Sequence, residues 1–528
     1  MKKKLIALLC VSAMAISMLS GCGQKVEEQN PQVETEEVSE SSEETASNEE
    51  SELEYVELDW YVDSDATDKD IIQAALDEYF LEKLNCKVNV HFIAKAEYGE
   101  MMSTKLMSGE ALDIVKLTAE TPYSTYAASG ALYPIDTLWD EYGTNVKGLF
   151  KEGVWDSLKV DGHVYTIPTL KDNAYIIGYI YNDTLASELG LDLENQDWTS
   201  FMDMEEVLME ALALRDEKYP EYKGMPLINN VNRDCPYFFA MERLISGSGL
   251  AICNIPGNEV DSQYGADTVF NFYETDAFRE MCLLKQRYVD AGVMAYDYTT
   301  FERSVAYEPS TLMNQAWGYT WISEHLYSED FESKLVVFDG TWTESGNFVT
   351  AANSIGVNCK DPERAMMVLD LLNSDPYVAT LLRFGVEGEH WEYDENGKMQ
   401  LCNRNADVSN PGWIDWYGAS YGNITIVEGP ESYTGPDGIM FEKMNEYNND
   451  AILASHMGFV LDTTNITNEI SACSNVVSEY QYLMNGQVES QDAVNATVDE
   501  FVAKLKANGS EKIVAEIQAQ VDAWVANK

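Results

Sequence analysis

The residues with the clearest potential for chemistry are aromatic and short polar side chains at the predicted ends of strands. Trp60 and Tyr61 lie at the end of the first predicted strand and Asp63 follows it, and Trp321 ends a later strand, MNQAWGYTW at 313–321. A flat ring can pack against the C–H face of a pyranose, and short polar side chains can pair with its buried hydroxyl groups. These residue types indicate binding of a sugar-like solute, and core packing stays open as the alternative for both tryptophans.

No catalytic or metal-binding pattern accompanies these residues. The sequence contains no H-E-x-x-H, G-x-S-x-G, Walker loop or strand-linked G-x-G-x-x-G. The acidic run that starts DSDATDKD departs from the EF-hand pattern, because Asp68 stands where Gly is needed and Ala74 where Glu is needed. We therefore expect no metal, no cofactor and no catalysis. A surface glycoside hydrolase with two cleft carboxylates is the enzymatic alternative, since 90 acidic residues offer many pairs.

The elements that must position these side chains begin with a β-α-β-α-β pattern. Strands are predicted at 56–62, 87–93 and 113–115, with helices at 70–84 and 98–107 between them. That order predicts parallel pairing with helical crossovers, and ligands bind beyond the carboxyl ends of such strands. The rule selects six residues for a binding site: Trp60, Tyr61, Asp63, Tyr98, Thr118 and Glu120.

A short polar crossover separates this unit from the next. Asp161 and Gly162 supply the positive φ angles of a tight hairpin turn, and Pro168 ends strand pairing because it has no N–H. A new strand is predicted at 174–181. One compact unit thus closes near Pro168 and another opens close behind it, as at a hinge, so Tyr175 is expected beside the hinge.

Further elements are predicted along the rest of the chain. Amphipathic helices are expected at 202–214, 238–245 and 278–289, and a strand at 346–357. The last helix carries an apolar stripe that is expected to be core: Ile513, Ile517, Val521 and Trp524.

Length and charge narrow the class of protein. A chain of 528 residues is too long for one core, so two lobes or more are expected. Residues 23–54 hold 12 Glu and five Ser with almost no large apolar side chain, which predicts an extended acidic tether. From Tyr55 onward, 78 acidic and 30 basic residues leave a charge near −48. The total of −56 argues against nucleic acid and anionic lipid headgroups as partners.

The N-terminus is similar to the signal of a bacterial lipoprotein. Three lysines at positions 2–4 precede an apolar run at 5–19 that is too short for a stable membrane span. The run ends in Leu-Ser-Gly-Cys, which resembles a lipobox, so cleavage is implied before Cys22 and lipidation on its thiol. A plain signal peptide with a chance cysteine is the alternative.

Several motifs in order resemble the family 1 extracellular solute-binding lipoproteins of ABC transporters, in particular their LplA-type, carbohydrate-binding members. These are SGEALDIV at 108–115, YAASGALYPID at 126–136, GVEGEHW at 385–391, and the long stretch from GFVLD at 458 to the C-terminus. The loop WIDWYGASYG at 413–422 is similar to their aromatic-glycine loop, although its usual Gly-Asn step is loosened. By this resemblance Asp462 belongs to a cleft loop of the second lobe.

The resemblance implies an α/β, type II-like periplasmic-binding-protein fold of two lobes. Each lobe is expected to hold a mixed, mostly parallel sheet flanked by helices, with an extended C-terminal helical region. The implied division is a signal peptide at 1–21, a lipidated cysteine and tether at 22–54, a first lobe at 55–172 plus 348–395, and a second lobe at 173–347 plus 396–528. Trp321 and Asp462 would face Trp60 across the cleft.

The same resemblance implies a function. A carbohydrate, expected to be an oligosaccharide, would be captured between the lobes and delivered to an ABC transporter permease. The protein would be a monomer, anchored through a palmitate-type lipid to the outer face of the cytoplasmic membrane and without contact to nucleic acid. A peptide or another small solute is the alternative ligand.

Overall fold

The first strands and helices occur where the sequence predicts them, and later elements depart from the prediction. The computed structural model describes residues 53–228, 238–245, 248–296, 309–316, 331–338, 340–408, 410–414, 421–435 and 438–527. Within these residues the strands are β1 (Val56–Asp63), β2 (Cys86–Ile93), β3 (Ile114–Leu117), β4 (Ile167–Pro168), β5 (Gly178–Asn182), β6 (Met241–Arg243), β7 (Ile252–Asn254), β8 (Met313–Ala316), β9 (Ser333–Val337), β10 (Trp342–Thr343), β11 (Ala352–Ile355), β12 (Trp391–Tyr393), β13 (Met399–Leu401) and β14 (Ile452–Leu453).

The described chain also contains 18 α-helices. They are α1 (Lys69–Leu84), α2 (Lys95–Ser108), α3 (Tyr123–Ala128), α4 (Trp139–Tyr142), α5 (Thr144–Lys147), α6 (Glu152–Ser157), α7 (Asp183–Leu189), α8 (Glu205–Lys218), α9 (Asp276–Ala291), α10 (Gly346–Val349), α11 (Pro362–Ser374), α12 (Pro376–Phe384), α13 (Glu431–Thr434), α14 (Ile439–Asp450), α15 (Thr467–Glu479), α16 (Gln481–Met484), α17 (Gln491–Ala507) and α18 (Ser510–Asn527). Within the described ranges, no helix has both the length and the apolar character that crossing a membrane requires.

The first sheet has the order β2-β1-β3-β11-β4. β1 pairs in parallel with β2 and β3, which confirms the pairing predicted from the helical crossovers. β11 then pairs antiparallel with β3 and with β4. The strand predicted at 346–357 is therefore shorter than expected, because residues 346–349 form α10 instead.

The second sheet of the described chain has the order β8-β5-β9. Both outer strands pair antiparallel with β5, whereas the resemblance implied a mostly parallel sheet here. Parallel pairing follows when consecutive strands are joined by one helix, but β5 and β8 are separated by a long excursion that contains α7, α8 and α9. The α/β class with a C-terminal helical region is confirmed.

The helix predicted at 238–245 is wrong. Residues 241–243 form β6, which pairs antiparallel with β7. Short apolar runs fit a helix or a strand equally well, and partners that are distant in the sequence decide between them. The consequence is functional, because β6 carries two charged side chains of the cavity described below.

The predicted turn and the crossover are present as expected. Asp161 and Gly162 have φ angles of 51° and 87°, and Val160 and His163 exchange backbone hydrogen bonds across them. Beyond the turn, the N–H of Tyr175 donates to the carbonyl of Trp342 at 2.7 Å, and the N–H of Trp342 donates back at 3.2 Å. This pair ties the crossover to the segment that leads back to β11.

The C-terminal helices pack into one layer with α9. Ile513, Ile517 and Val521 are fully buried, which confirms the predicted apolar stripe of α18. Trp524 lies at the margin of this layer, with its ring 5.9 Å from the ring of His456 and 6.1 Å from that of Phe459. The final helix therefore supports the loop at 456–461.

Candidate ligand-binding cavity

A cavity of about 400 Å³ opens between the first sheet and the segments that follow the crossover. This volume lies within the range of small-molecule pockets. Its walls come from segments that are far apart in the sequence: 118–124 after β3, 157–160 after α6, Tyr175 at the crossover, 242–244 in and after β6, 344–350 around α10, and 456–461 before α15.

Tyr175 is held in place from two sides. Its ring centroid is 5.2 Å from that of Trp342 at an interplanar angle of 36°, and the guanidinium carbon of Arg243 lies 4.8 Å from the Tyr175 centroid. The crossover therefore presents a fixed aromatic side chain to the cavity.

Arg243 and Glu344 form an ion pair with side chains that are 3% and 11% exposed. Nη2 of Arg243 donates to Oε1 of Glu344 at 2.8 Å, and Nε donates to the same atom at 3.3 Å. The backbone N–H of Arg243 donates to Oε2 at 2.9 Å. Because water is largely excluded, removal of either partner would leave a costly unpaired charge.

Glu242 and His456 form a second buried pair in the same wall. Oε1 of Glu242 accepts from the backbone N–H of His456 at 2.9 Å, and Nδ1 of the ring lies 2.8 Å from Oε2. Burial raises the pKa of Glu242. Burial by itself lowers the pKa of His456, but the bonds to Glu242 and the nearby charge of Asp267 outweigh it, so that this pKa is raised.

The loop at 456–461 approaches α6 very closely. Gly458 has φ +86°, and a Cβ built on it would lie 2.7 Å from the carbonyl oxygen of Ser157. Its N–H donates to Oγ of Ser345 at 2.8 Å. Phe459 and Val460 follow, and Val460 is 54% exposed. The loop therefore adds apolar surface to the rim of the cavity.

Of the residues predicted for the site, Thr118 and Tyr175 line this cavity. Oγ1 of Thr118 donates to Oε2 of Glu120 at 2.9 Å. Glu120 itself is exposed and stands beside the cavity without lining it.

Trp60 and Tyr98 lie in the core and not on the cavity wall, contrary to expectation. Trp60 is fully buried, and its Nε1 donates to Oδ1 of Asn353 at 3.2 Å. The hydroxyl of Tyr98 donates to the carbonyl of Lys116 at 2.6 Å. The strand-end rule gives the position along a strand, but the alternation of side chains decides the face, and Leu58, Trp60 and Val62 share the inner one.

Tyr61 and Asp63 also lie away from the cavity. Tyr61 is on the opposite face of β1, where its ring stacks on His91 at 4.4 Å and Nζ of Lys105 lies 5.3 Å from its centroid. Oδ1 of Asp63 lies 2.5 Å from Nζ of Lys116, whose side chain is 3% exposed. Both residues thus serve contacts within the first sheet and its helices.

Asp462 follows directly after the cavity-lining Leu461, but it is exposed. Its Oδ1 accepts from the hydroxyl and the N–H of Thr464 at 2.6 and 2.9 Å. The same bonds lower the pKa of Asp462. Trp321 and Cys22 lie outside the described residues.

Sequence reasoning missed the charged residues of the cavity: Glu242, Arg243, Glu344 and His456. Glu242 and Arg243 fall in the segment assigned to a helix. His456 has no sequence neighbour with which it forms a recognisable motif. Only the pairing of β6 with β7 and the return of the chain at 342–350 bring the four together. Where the structure is described, no three His, Cys, Asp or Glu side chains are grouped as metal ligands would be.

Comparisons with known proteins agree with this architecture. Residues 63–219 match the model of the bacterial extracellular solute-binding proteins, and residues 455–526 match a domain of unknown function. A carbohydrate ABC transporter substrate-binding protein of Streptococcus pneumoniae serotype 4 is 25% identical over 459 residues, which cover 85% of this chain and 86% of the relative.

Solved structures share the fold. The N-glycan transport solute-binding protein NgtS of Streptococcus pneumoniae has a TM-score of 0.69 and 22% identity, over 89% of this chain and 99% of that one. NgtS in complex with Man5GlcNAc gives a TM-score of 0.58 with the same identity and the same coverage. The FusA substrate-binding protein of Streptococcus pneumoniae, in complex with kestose, gives 0.52 at 14% identity over 90% of this chain and all of that one. Over residues 63–219 the chain is therefore similar to the bacterial extracellular solute-binding proteins, and it shares the fold of the solved structures.

Proposed function

We propose that this protein captures an oligosaccharide in the cavity and delivers it to an ABC transporter permease. The observation that carries the proposal is the cavity itself, with an aromatic ring, hydroxyl groups and buried charged pairs on walls from both sides of the crossover. The names of the relatives support the ligand class, since the pneumococcal relative is named for carbohydrate and NgtS was solved with Man5GlcNAc.

The chemistry of the walls suits a sugar. Val349, Phe459 and Leu461 offer apolar surface to C–H groups. Hydroxyl and amide groups of Ser124, Asn347 and other lining residues can pair with sugar hydroxyls, which must find partners when buried. A ligand that touches both walls stabilises the arrangement in which they are close, because only that arrangement offers both sets of contacts.

The hinge that permits such closure is built from three crossing segments. The N–H of Leu170 donates to the carbonyl of Gly422 at 3.1 Å. Asn173 and Asn347 bond reciprocally, each Nδ2 donating to the carbonyl of the other residue, at 3.0 and 2.9 Å. Hinges of this kind concentrate the change of backbone angles in a few residues.

This hinge supports a division of the folded chain into two lobes. We assign 55–172 plus 348–395 to the first lobe and 173–347 plus 396–528 to the second. The pairing of β11 with β3 supports the return of the chain to the first lobe.

The proposed role is binding without turnover. A glycoside hydrolase needs two carboxylates at a defined separation on either side of the scissile bond. The two carboxylates that line the described cavity, Glu242 and Glu344, are each bound to a basic side chain in the same wall. That arrangement orients them toward protein groups instead of toward a glycosidic oxygen.

The matched family is extracellular, and we propose that this protein is held at the outer face of the membrane by lipid on Cys22. The acidic segment at 23–54 would act as the spacer, because like charges keep such a chain extended. Delivery to a permease then takes place close to the membrane surface.

The test is a binding screen with residues 55–528. Neutral and acidic oligosaccharides, including Man5GlcNAc, and a peptide library are added separately, and the melting temperature is followed, because a ligand of the native state raises it. We expect oligosaccharides to raise it and peptides not to. If only peptides raised the melting temperature, the ligand would be a peptide and not an oligosaccharide. If the protein released sugar product and Glu344→Gln abolished this release, the protein would be a hydrolase.

A further inference from the structure

The ionisable side chains that line the described cavity each have an ionisable partner of the opposite type. These residues are Lys159, Glu242, Arg243, Glu344 and His456. Arg243 faces Glu344 and His456 faces Glu242 within the wall. Lys159 at the rim has its Nζ 2.7 Å from Oδ1 of Asp156.

Arg243 is the group best suited to bind a sugar carboxylate, because a guanidinium can pair with one through two N–H groups. Its Nε and Nη2 already point to one oxygen of Glu344, and its guanidinium covers the ring of Tyr175. A ligand carboxylate at the remaining N–H groups would share the guanidinium with Glu344, and the two negative charges would repel each other in a wall from which water is largely excluded.

His456 lies between two carboxylates. Its Nδ1 lies 2.8 Å from Oε2 of Glu242, and its Nε2 lies 3.3 Å from Oδ1 of Asp267. Carboxylates thus stand at both ring nitrogens. An anionic ligand placed here would lie close to the carboxylates as well as to the ring of His456.

The charge of the whole chain acts in the same direction. At −56 the protein repels anions before they reach the cavity. Only the lysine at the rim is half exposed, and exposed pairs of this kind contribute little because water and salt screen them.

From these pairs we infer that the site selects uncharged oligosaccharides against those that carry uronate, sialate or sulfate groups, and that Glu344 is a specificity-determining residue. This inference rests on the proposed function, since it names the substrate class within it. Glu344 acts by neutralising the charge of Arg243, so that a ligand carboxylate would bring an uncompensated negative charge to the wall, whereas a neutral hydroxyl group would not.

The test compares matched neutral and acidic glycans with residues 55–528 by titration calorimetry. The pairs are oligomannose against oligomannuronate, xylo-oligosaccharides without and with glucuronate branches, and an N-glycan before and after sialidase treatment. We expect the acidic member of any bound pair to bind at least about tenfold more weakly, and the difference to shrink as salt is raised. Equal or tighter binding of an acidic member overturns the inference and leaves the proposed function intact. Failure of every saccharide to bind overturns both.

A variant of Glu344 isolates the cause. Glu344→Gln keeps the size of the side chain but frees Arg243 from its counter-charge, so the discrimination should fall to less than about threefold. Glu344→Asp keeps the charge and is the matched control, so this variant should retain the discrimination between neutral and acidic glycans. The melting temperature of each variant without ligand shows whether that variant folds. If Glu344→Gln does not fold, Glu242→Gln tests the same principle at His456. A folded Glu344→Gln protein with unchanged discrimination would overturn the assigned role.

Discussion

A Cβ atom on Gly458 would lie 2.7 Å from the carbonyl oxygen of Ser157. Gly458 begins the apolar rim of the cavity, and Ser157 ends α6 on the opposite side. The backbone of one segment can approach the other this closely only because Gly458 has no side chain, and its φ of +86° excludes most other residues as well.

Gly458→Ala should therefore lower both stability and affinity. We expect a loss of about 1–2 kcal/mol from the left-handed conformation and a further loss of about 1–3 kcal/mol from overlap with the backbone of Ser157. Urea unfolding measures the total loss of stability, and calorimetry with a bound oligosaccharide measures the loss of affinity.

Gly257→Ala is the control for this variant. Gly257 has φ +80°, but a Cβ on it would have no heavy atom within 4 Å. It should show only the conformational loss and unchanged affinity. Equal losses in the two variants would mean that the contact with Ser157 contributes nothing.

Trp60→Ala should destabilise the apo protein by about 3–5 kcal/mol, because the ring is fully buried. Trp60→Phe keeps most of the volume but loses the bond from Nε1 to Asn353, so a smaller loss of about 1–2 kcal/mol is expected. Unfolding midpoints in urea give both values. If Trp60→Ala were as stable as the wild type and bound ligand more weakly, the ring would belong to the site after all.

The first three strands of the first sheet were predictable because they are consecutive and are joined by local helices. Periodicity located β1, α1, β2, α2 and β3 to within a few residues, and the crossover rule gave their parallel pairing. The turn at Asp161 was equally local, since its chemistry is contained in two residues.

The cavity was predictable only in part, because most of its walls are assembled by contacts between distant segments. Thr118 and Tyr175 were found from the ends of local elements. Arg243 and Glu344 are about a hundred residues apart in the chain, and no spacing rule connects them. Their pairing depends on the tertiary contact between β6 and the segment after β10, and no local sequence pattern predicts that contact.

Acidification should destabilise the protein through His390. This imidazole is fully buried, its Nδ1 accepts from the N–H of Val386 at 3.0 Å, and its Nε2 lies 3.2 Å from Oδ2 of Asp68. Burial lowers the pKa of His390 from the usual 6.5, although Asp68 acts in the opposite direction. The unfolded chain therefore binds more protons below pH 6.5, and stability falls as the pH drops toward the lower folded pKa.

Urea unfolding between about pH 7.5 and about pH 5.5 measures how the free energy of unfolding changes with pH. His390→Gln should lose stability at neutral pH but show a flatter dependence. His456 has a raised pKa, so its contribution has the opposite sign and is lost as pH rises. His456→Gln should accordingly show a steeper fall on acidification than the wild type. If the free energy of unfolding changed equally with pH in the wild type and in both variants, neither histidine would be the source of the pH dependence.

Cys22→Ala should leave the precursor without lipid. The thiol is the proposed attachment site, and alanine has no nucleophile. Cells that express the variant should show an uncleaved protein that takes up no radioactive palmitate. Cys10→Ala, which lies within the proposed signal peptide, is the control and should be processed and labelled normally. Labelling of Cys22→Ala would place the anchor elsewhere.

Asn173 is predicted to be the most sensitive polar residue of the proposed hinge. Its Nδ2 donates to the carbonyls of Asn347 and Thr169 at 3.0 and 3.3 Å, and its Oδ1 accepts from the N–H of Lys171 at 3.0 Å. Asn173→Ala removes these bonds and should cost about 1–3 kcal/mol.

Asn173→Asp separates hydrogen bonding from packing at the same position. The aspartate keeps the shape and the acceptor for Lys171 but directs a carboxylate oxygen at two carbonyls that need a donor. It should therefore destabilise the apo protein more than alanine does, by burying an unpaired charge. Calorimetric unfolding shows which of the two variants is less stable. Acidification should narrow the difference in stability between them, because a protonated carboxyl can donate a hydrogen bond. An aspartate variant as stable as the wild type at neutral pH would mean that the hinge does not depend on the bond between Asn173 and Asn347.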